Sequence, residues 1–417
     1  MEVKAGYKQT EVGVIPVEWE VKRLGKIAIT FSGGTPATSN RDYYGDEIDW
    51  ITSGDLNKSQ ILSVDGKITK KGLENSAAKQ VTEGTLLMAL YGATAGVTAI
   101  TRIDAAINQA VLAIITKHDS TEYLIQILTS KKEWIIKTYT QGGQPNLSGE
   151  IVRQLLLPLP RLSEQRAIAA ALSDVDALIN ALDRLIAKKR NIKQAAMQDL
   201  LTGKKRLPGF SERWEIYKFE DIFKFLSTAS NSRSDLTEIG DVKYIHYGDI
   251  HTSSASFLDC ISDSLPFIKA DKVKNTPRLE NGDLIMADAS EDYAGIGKSI
   301  EVMNVTGPEI IAGLHTLLLR GDKIILADGF KGYLQFIPAV KNSLIKIATG
   351  ISVYGVSKGN VRNIEVRLPK VREQKKIATI LSDMDAEIAA LEQKREKTKS
   401  LKQGMMQELL TGRIRLV

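Results

Sequence analysis

The chain has 417 residues, 43% of them hydrophobic, which as a prior suggests two or three globular domains with cores of their own. Its 56 Lys and Arg against 50 Asp and Glu give a formal charge of +6, a mildly basic balance compatible with nucleic acid. One cysteine, Cys260, excludes an intramolecular disulfide; with four histidines there is little for a transition-metal site, and no apolar run approaches membrane-spanning length.

Taken in order, residues 1–12 are polar and predict an N-terminal arm. Trp19 opens a first domain (EWEVKRLGKIA), and a matching run around Trp214 (RWEIYKFEDIF) opens a second. Ile48 to Leu56 and Tyr244 to Ile250 read as strands leading into turns, with Gly54-Asp55 matching Gly248-Asp249. Gly84 to Tyr91 and Gly282 to Asp288 read as short apolar strands, and Ala106 to Thr116 and Ile311 to Leu319 as another strand pair. Tyr123 to Tyr139 has helical composition; its partner around Asp328 to Ala348 contains Pro338 and is expected to be interrupted.

The strongest signal is a stretch that occurs twice without a gap. Pro160 to Leu207 (PRLSEQRAIAAALSDVD…) and Pro369 to Leu416 (PKVREQKKIATILSDMD…) align at a spacing of 209 residues, Glu164 on Glu373 and Gly203 on Gly412. So long a period marks duplication of a domain plus a helix, not a solenoid. Apolar residues at Ile168, Leu172, Val175, Ile179 and Leu182, and at Ile377, Leu381, Met384, Ile388 and Leu391, alternate steps of four and three, the pattern of a coiled-coil seam. Ser163 suits the N-cap and the two glycines a left-handed C-terminal residue, which predicts helices about 55 Å long at ~1.5 Å per residue. Two equal seams in one chain most simply bury each other. The boundaries are then an arm (1–12), a first globular domain (13–160), a helix (161–206), a second domain (207–369) and a second helix (370–417), an α+β architecture of two similar domains separated by long antiparallel helices.

No hydrolase triad and no methyltransferase motif stands out. The run DYAGIGKS, Asp292 to Ser299, ends like a phosphate-binding loop, but an acidic residue stands where the first glycine is required, and the first domain has Val97-Thr98 in place of Lys298-Ser299. A glycine turn between two strands fits better. What remains is loops carrying bases, amides and aromatics, the side chains that suit phosphates and base edges. In the first domain the candidates are Arg41, Tyr43, Lys58, Lys70, Lys71, Tyr91, Gln141, Gln144 and Asn146. In the second they are Arg233, His246, Tyr247, His251, Lys269, Lys272, Tyr293, Lys298 and Tyr354. On the helices, Gln165, Gln194, Gln198, Gln374, Gln403 and Gln407 are shared by both copies and lie away from the seam, which predicts contact with one kind of partner on both helices.

Two divergent domains, each begun near a Trp and followed by EQ(R/K)-x-I-A and QxLLTG, together with the openings GYKQTEVGVIPVEW and RLPGFSERW, resemble the DNA specificity subunit of type I restriction–modification enzymes over essentially the whole chain. The resemblance implies two target recognition domains, each reading one half of a bipartite target in double-stranded DNA, and a coiled coil that spaces them. It implies no catalysis in this chain and assembly in the cytoplasm with two modification (methyltransferase) subunits and with restriction subunits. S-adenosylmethionine, ATP and magnesium would belong to those partners, with no cofactor or metal here. A coiled-coil scaffold that does not touch DNA, and a nucleotide-using enzyme built on Asp292 to Ser299, are the alternatives.

Overall fold

The computed structural model describes residues 4–140, 145–253 and 255–416. Intramolecular contacts fall into two units, one made of residues up to Asp183 together with those from Gln393 onward, the other of Arg184–Glu392. Each unit contains one globular domain of mixed helix and sheet, the first half of the long helix that follows it, and the last part of the other long helix.

The two domains share one frame. In the first, a five-stranded sheet runs Ala28–Ser32, Val111–Thr116, Leu86–Ala89, Thr98–Thr101, Gln60–Ile61; in the second, the same order is Phe223–Leu226, Thr316–Gly321, Leu284–Ala287, Ser299–Met303, Phe257–Asp259. The central strands LLMA and LIMA are buried throughout, so continuous apolar runs rather than alternation mark them. Each domain closes by pairing its first strand with its last, Glu20–Arg23 with Leu156–Leu159 and Glu215–Lys218 with Glu365–Leu368.

Several expectations change. The stretch Ala106 to Thr116 is not one strand but two, Ala105–Ile107 and Val111–Thr116, in different sheets; Asn108 turns the chain between them, its side chain accepting from Ala110 N. Ile311 to Leu319 divides likewise into Glu309–Ala312 and Thr316–Gly321, with His315 at φ 56° in the turn. Tyr7–Thr10, in the predicted arm, pairs as a hairpin with Gly13–Pro16, at the start of the predicted first domain, and the Tyr7 hydroxyl donates to Gly412 O at 3.0 Å. The first domain's helix Thr121–Tyr139 has as counterpart a 3-10 segment, Lys331–Phe336, and then a helix, Pro338–Ile347, with the proline at its start where its missing N–H costs nothing.

The long helices span Leu162–Leu200 and Val371–Leu409, 39 residues each. Ser163 is therefore not the N-cap but lies inside the first turn, directly after the helix leaves Pro160-Arg161. Gly203 and Gly412 have φ of 69° and 72°, the left-handed termini expected of them. In the first unit the helices run antiparallel, Asp176 to Lys402 at 2.7 Å and Asp183 to Arg395 at 3.2 Å. The second unit repeats the pattern with Asp385 on Lys193 and Glu387 on Lys189 at 2.7 Å. The seam is only partly a helix–helix affair. Ile168 and Leu172 join the first domain's core together with Leu409 and Leu410 from the far end of the other helix; Ile377 and Leu381 join the second domain's core with Leu200 and Leu201. Leu182 and Ile388 are buried, while Val175, Ile179, Met384 and Leu391 are half-buried.

Candidate nucleic-acid interface

The repeated Glu-Gln pair fixes each domain to its helix. Glu164, buried, accepts from Trp19 Nε1 at 3.1 Å and takes both arms of the Arg415 guanidinium at 2.5 and 2.8 Å. Glu373 does the same with Trp214 Nε1 at 3.2 Å and Arg206 at 2.7 and 2.7 Å. Gln165 accepts from Ser120 N at 2.9 Å and donates to Asp119 Oδ1 and Pro160 O. Gln374 accepts from Ala327 N at 2.9 Å and donates to Ile325 O and Pro369 O. Gln165 and Gln374 are thus withdrawn as partner contacts: both are buried, and their amides hold loops of their own domain. Gln194, Gln198, Gln403 and Gln407 are exposed. Charge and amide patterns alone could not separate the two groups, since both sit at matching positions of the repeat.

In each domain a strand runs into a tight helical turn closed by Gly-Asp. Asp55 accepts from Thr52 N and Asp249 from His246 N, each at 2.8 Å, the reciprocal capping that explains why Gly54-Asp55 and Gly248-Asp249 recur. Beside this turn lies a second loop, bridged to the segment ahead of the domain's last strand: Tyr91 to Asn146 in the first domain, Ala289 and Ser290 to Gly355 and Tyr354 in the second.

The first domain's candidates form two groups. Arg41, Tyr43, Lys70 and Lys71 come together because Thr69 N donates to Tyr43 O at 3.0 Å and Lys71 pairs with Asp42 at 3.0 Å. Lys58, Tyr91 and Asn146 lie on the second group of loops, where the turn Ser53–Asn57 packs on Gly92–Thr94. Gln141 and Gln144 lie outside the described residues.

The second domain carries a cleft of about 1270 Å³ lined among others by Tyr247, His251, Asp292, Lys298, His315 and Val353. Tyr247 is packed on three histidines, ring centroids 4.4 Å from His246, 6.1 Å from His251 and 5.4 Å from His315. His246 is buried and its Nδ1 accepts from Gly248 N, so it shapes the turn and is withdrawn as a base contact; burial, then the Arg233 charge, hold its pKa below the ordinary value. Lys298 is likewise a loop-holding residue, its ammonium donating to His251 O at 2.8 Å and Ser253 O at 2.6 Å, with a pKa lowered by burial. Arg233 pairs with Asp249 at 3.0 Å and Lys272 with Asp235 at 2.5 Å; Lys269 is exposed beside them. Tyr293 stacks on Tyr354 with centroids 4.1 Å apart. His315, Lys341 and Val353 were missed by sequence reasoning. His315 sat inside a run read as one strand, and nothing in the local pattern of the other two marks a cleft wall.

The Gly-Lys-Ser run is a turn ahead of the strand Ser299–Met303, not ahead of a helix, and Lys298 is committed to two carbonyls, so it offers no phosphate cradle. Among the described residues there is no cluster of three or more His, Cys, Asp or Glu able to hold a metal, and no helix long and apolar enough to cross a membrane.

The sequence model described as the type I restriction modification DNA specificity domain matches this chain twice, over residues 16–193 and 211–400. The chain belongs to the type I restriction–modification DNA specificity family. Among curated relatives, the type I restriction enzyme MjaVIII specificity subunit of Methanocaldococcus jannaschii is 25% identical over 416 residues, covering 96% of this chain and 94% of that protein. The EcoR124I/EcoR124II specificity subunit of Escherichia coli is 22% identical over 185 residues, 43% of this chain and 45% of that one. The fold matches the crystal structure of an S subunit from M. genitalium with a TM-score of 0.59 at 14% identity, over 98% of both chains. A chain from a structure described as the basis of complex assembly and conformational transition of the type I R-M system gives 0.60 at 17% identity, over 96% of this chain and 99% of that one. This type I specificity subunit thus has two target recognition domains on one repeated frame.

Proposed function

We propose that each target recognition domain reads one half of a bipartite, asymmetric target in double-stranded DNA. The paired helices dock two modification subunits, Gln194, Gln198, Gln403 and Gln407 facing them, and the helix length sets the spacer between the halves. Restriction subunits complete the assembly in the cytoplasm; S-adenosylmethionine, ATP and magnesium act in those partners, and this chain contributes no catalytic step. The observation that carries the reading is the specificity domain matched twice, on two domains whose frames agree and whose loops differ. The contact set it leaves is Arg41, Tyr43, Lys58, Lys70, Lys71, Tyr91 and Asn146, and Arg233, Tyr247, His251, Lys269, Lys272, Tyr293 and Tyr354.

Methylation mapping in cells with and without the chain tests this, since a bipartite motif should be present only with it. A third strain carries Leu-Glu-Ala-Leu inserted after Arg184. Four residues add about 6 Å of helix against about 3.4 Å per base pair, so the spacer should lengthen by about one or two base pairs with both halves unchanged. No motif dependent on the chain would favour a scaffold that does not read DNA. An unaltered spacer would remove the helices as the ruler.

A further inference from the structure

The second target recognition domain carries a closed loop just ahead of its last helix and strand. Residues Thr349 to Gly355 form a closed loop, Thr349 N donating to Gly355 O at 3.0 Å and Gly355 N to Thr349 O at 2.8 Å. At its tip Ile351 is 94% exposed and Val353 56% exposed, apolar side chains held in water. The shape is imposed: Gly350 has φ 135°, and a Cβ there would lie 1.9 Å from the Val353 carbonyl oxygen. Beside the tip stand the stacked rings of Tyr293 and Tyr354, and Phe336 is exposed on the wall of the same cleft that Val353 lines. The facing loop is pinned by Lys341, whose ammonium donates to Ala294 O at 2.6 Å and Ile296 O at 3.0 Å, and by His251 Nε2, 2.8 Å from Ala289 O. Single exposed apolar residues are ordinary, but here Ile351, Val353, Phe336 and Tyr293 are exposed together at one edge of the cleft on a firmly held base, a patch of the kind that serves recognition.

The charge around it says what kind of partner. Between Asp328 and Glu365 no carboxylate side chain occurs, while Lys331, Lys341, Lys346, Lys358 and Arg362 do. Lys331 is buried against Glu301 at 3.0 Å, Lys341 is spent on two carbonyls and Lys358 donates to Phe225 O at 3.3 Å; Lys346 and Arg362, exposed on either side of the loop in sequence, are the cations that face water. An apolar point set in a cationic segment fits a polyanion with an apolar interior, which is stacked DNA. Of the carboxylates nearby, Asp288 pairs with His315 at 3.3 Å and Asp292 accepts from Gly295 N at 2.6 Å, while Glu291, on the cleft wall, suits the amino edge of a base and not a phosphate. At the matching positions the first domain's sequence is Gln141-Gly142-Gly143-Gln144-Pro145-Asn146, with Gly142 and Gln144 where the second domain has Ile351 and Val353.

We propose that Ile351 and Val353 form a wedge that enters the DNA between two base pairs of the half-site read by the second domain, and that the Tyr293–Tyr354 stack receives the base the wedge unstacks. This rests on the reading of that domain as a DNA-reading module. The test uses the assembled complex of this chain with its two modification subunits, and duplexes of the mapped motif carrying 2-aminopurine at successive positions. Fluorescence should rise several-fold at one step of the second half-site other than the methylated base, and at no such step of the first. The double variant Ile351→Ser, Val353→Ser, altered only at exposed positions, should keep its melting temperature, lose that rise and bind about ten-fold more weakly. An abasic site opposite the same step should restore its affinity, because the step is already unstacked. No rise beyond the methylated base, or a variant that keeps both rise and affinity, overturns the wedge while specific binding by the unaltered complex leaves the DNA reading in place. Failure of the unaltered complex to bind the motif overturns that reading, and the wedge with it.

Discussion

Two domains built on one frame differ in an orderly way. Both keep the Trp–Glu–Arg cluster at the start of the long helix, the Gln that follows it, the Gly-Asp capped turn and the five-strand order. They part at the loops beside that turn, at the helix that stays whole in one and breaks at Pro338 in the other, and at one sheet position. There, opposite Leu86 stands Ile100, and opposite Leu284 stands Glu301, buried and tied to Lys331, Gly329 N and Gly332 N. Matching sites are those where a buried polar group has no alternative partner, so a change strands it. Divergent sites are mostly exposed loops, where water satisfies whatever backbone the new sequence presents. The exception, Glu301, brings its own partners with it and pins the 3-10 segment that replaces half a helix.

The largest effect should come from breaking the shared cluster. Glu164→Ala leaves the Trp19 indole and the Arg415 guanidinium without their acceptor, and Glu373→Ala does the same to Trp214 and Arg206. Each should cost on the order of 3 kcal/mol in chemical denaturation, moderated because both guanidinium groups keep about a quarter of their surface in water. A large cost in one and none in the other would show that the two clusters are not equivalent.

Next in size is the distinction among the glutamines. Gln165→Ala strands the Ser120 amide and should destabilise by about 1–3 kcal/mol while leaving co-purification with modification subunits intact. Gln194→Glu with Gln403→Glu should do the opposite, weakening the complex at unchanged melting temperature. Equal behaviour of the two variants would erase the distinction drawn from burial.

Smaller still is the effect of Lys70→Ala with Lys71→Ala in the first domain. Because Lys71 is already paired with Asp42, the slope of log affinity against log salt should flatten by about one, not two, with all sequences weakened alike. Loss of discrimination at one base pair instead would make these lysines base readers.

Much of the frame was legible because it is periodic or duplicated. The long helices followed from the seam at Ile168, Leu172 and their repeats, and the broken helix followed from Pro338. The split of Ala106 to Thr116 was hidden because Asn108-Gln109-Ala110 interrupts neither composition nor length enough to show a turn between two sheets. The site was less legible. His246 and Lys298 look like DNA-facing residues in one dimension, and only their hydrogen bonds to Gly248 N and to two carbonyls reveal that they shape loops. The exposure of Ile351 and Val353 is a property of three dimensions that the run Gly350-Ile351-Ser352-Val353 does not show.

If each domain reads its own half of the target, one can be replaced without the other. Exchanging Trp19–Pro158 for the matching segment of a relative, and mapping methylated motifs in cells that carry the hybrid, tests this. One half of the motif should change to the relative's, with the other half and the spacer as before. A motif altered in both halves would contradict the claim.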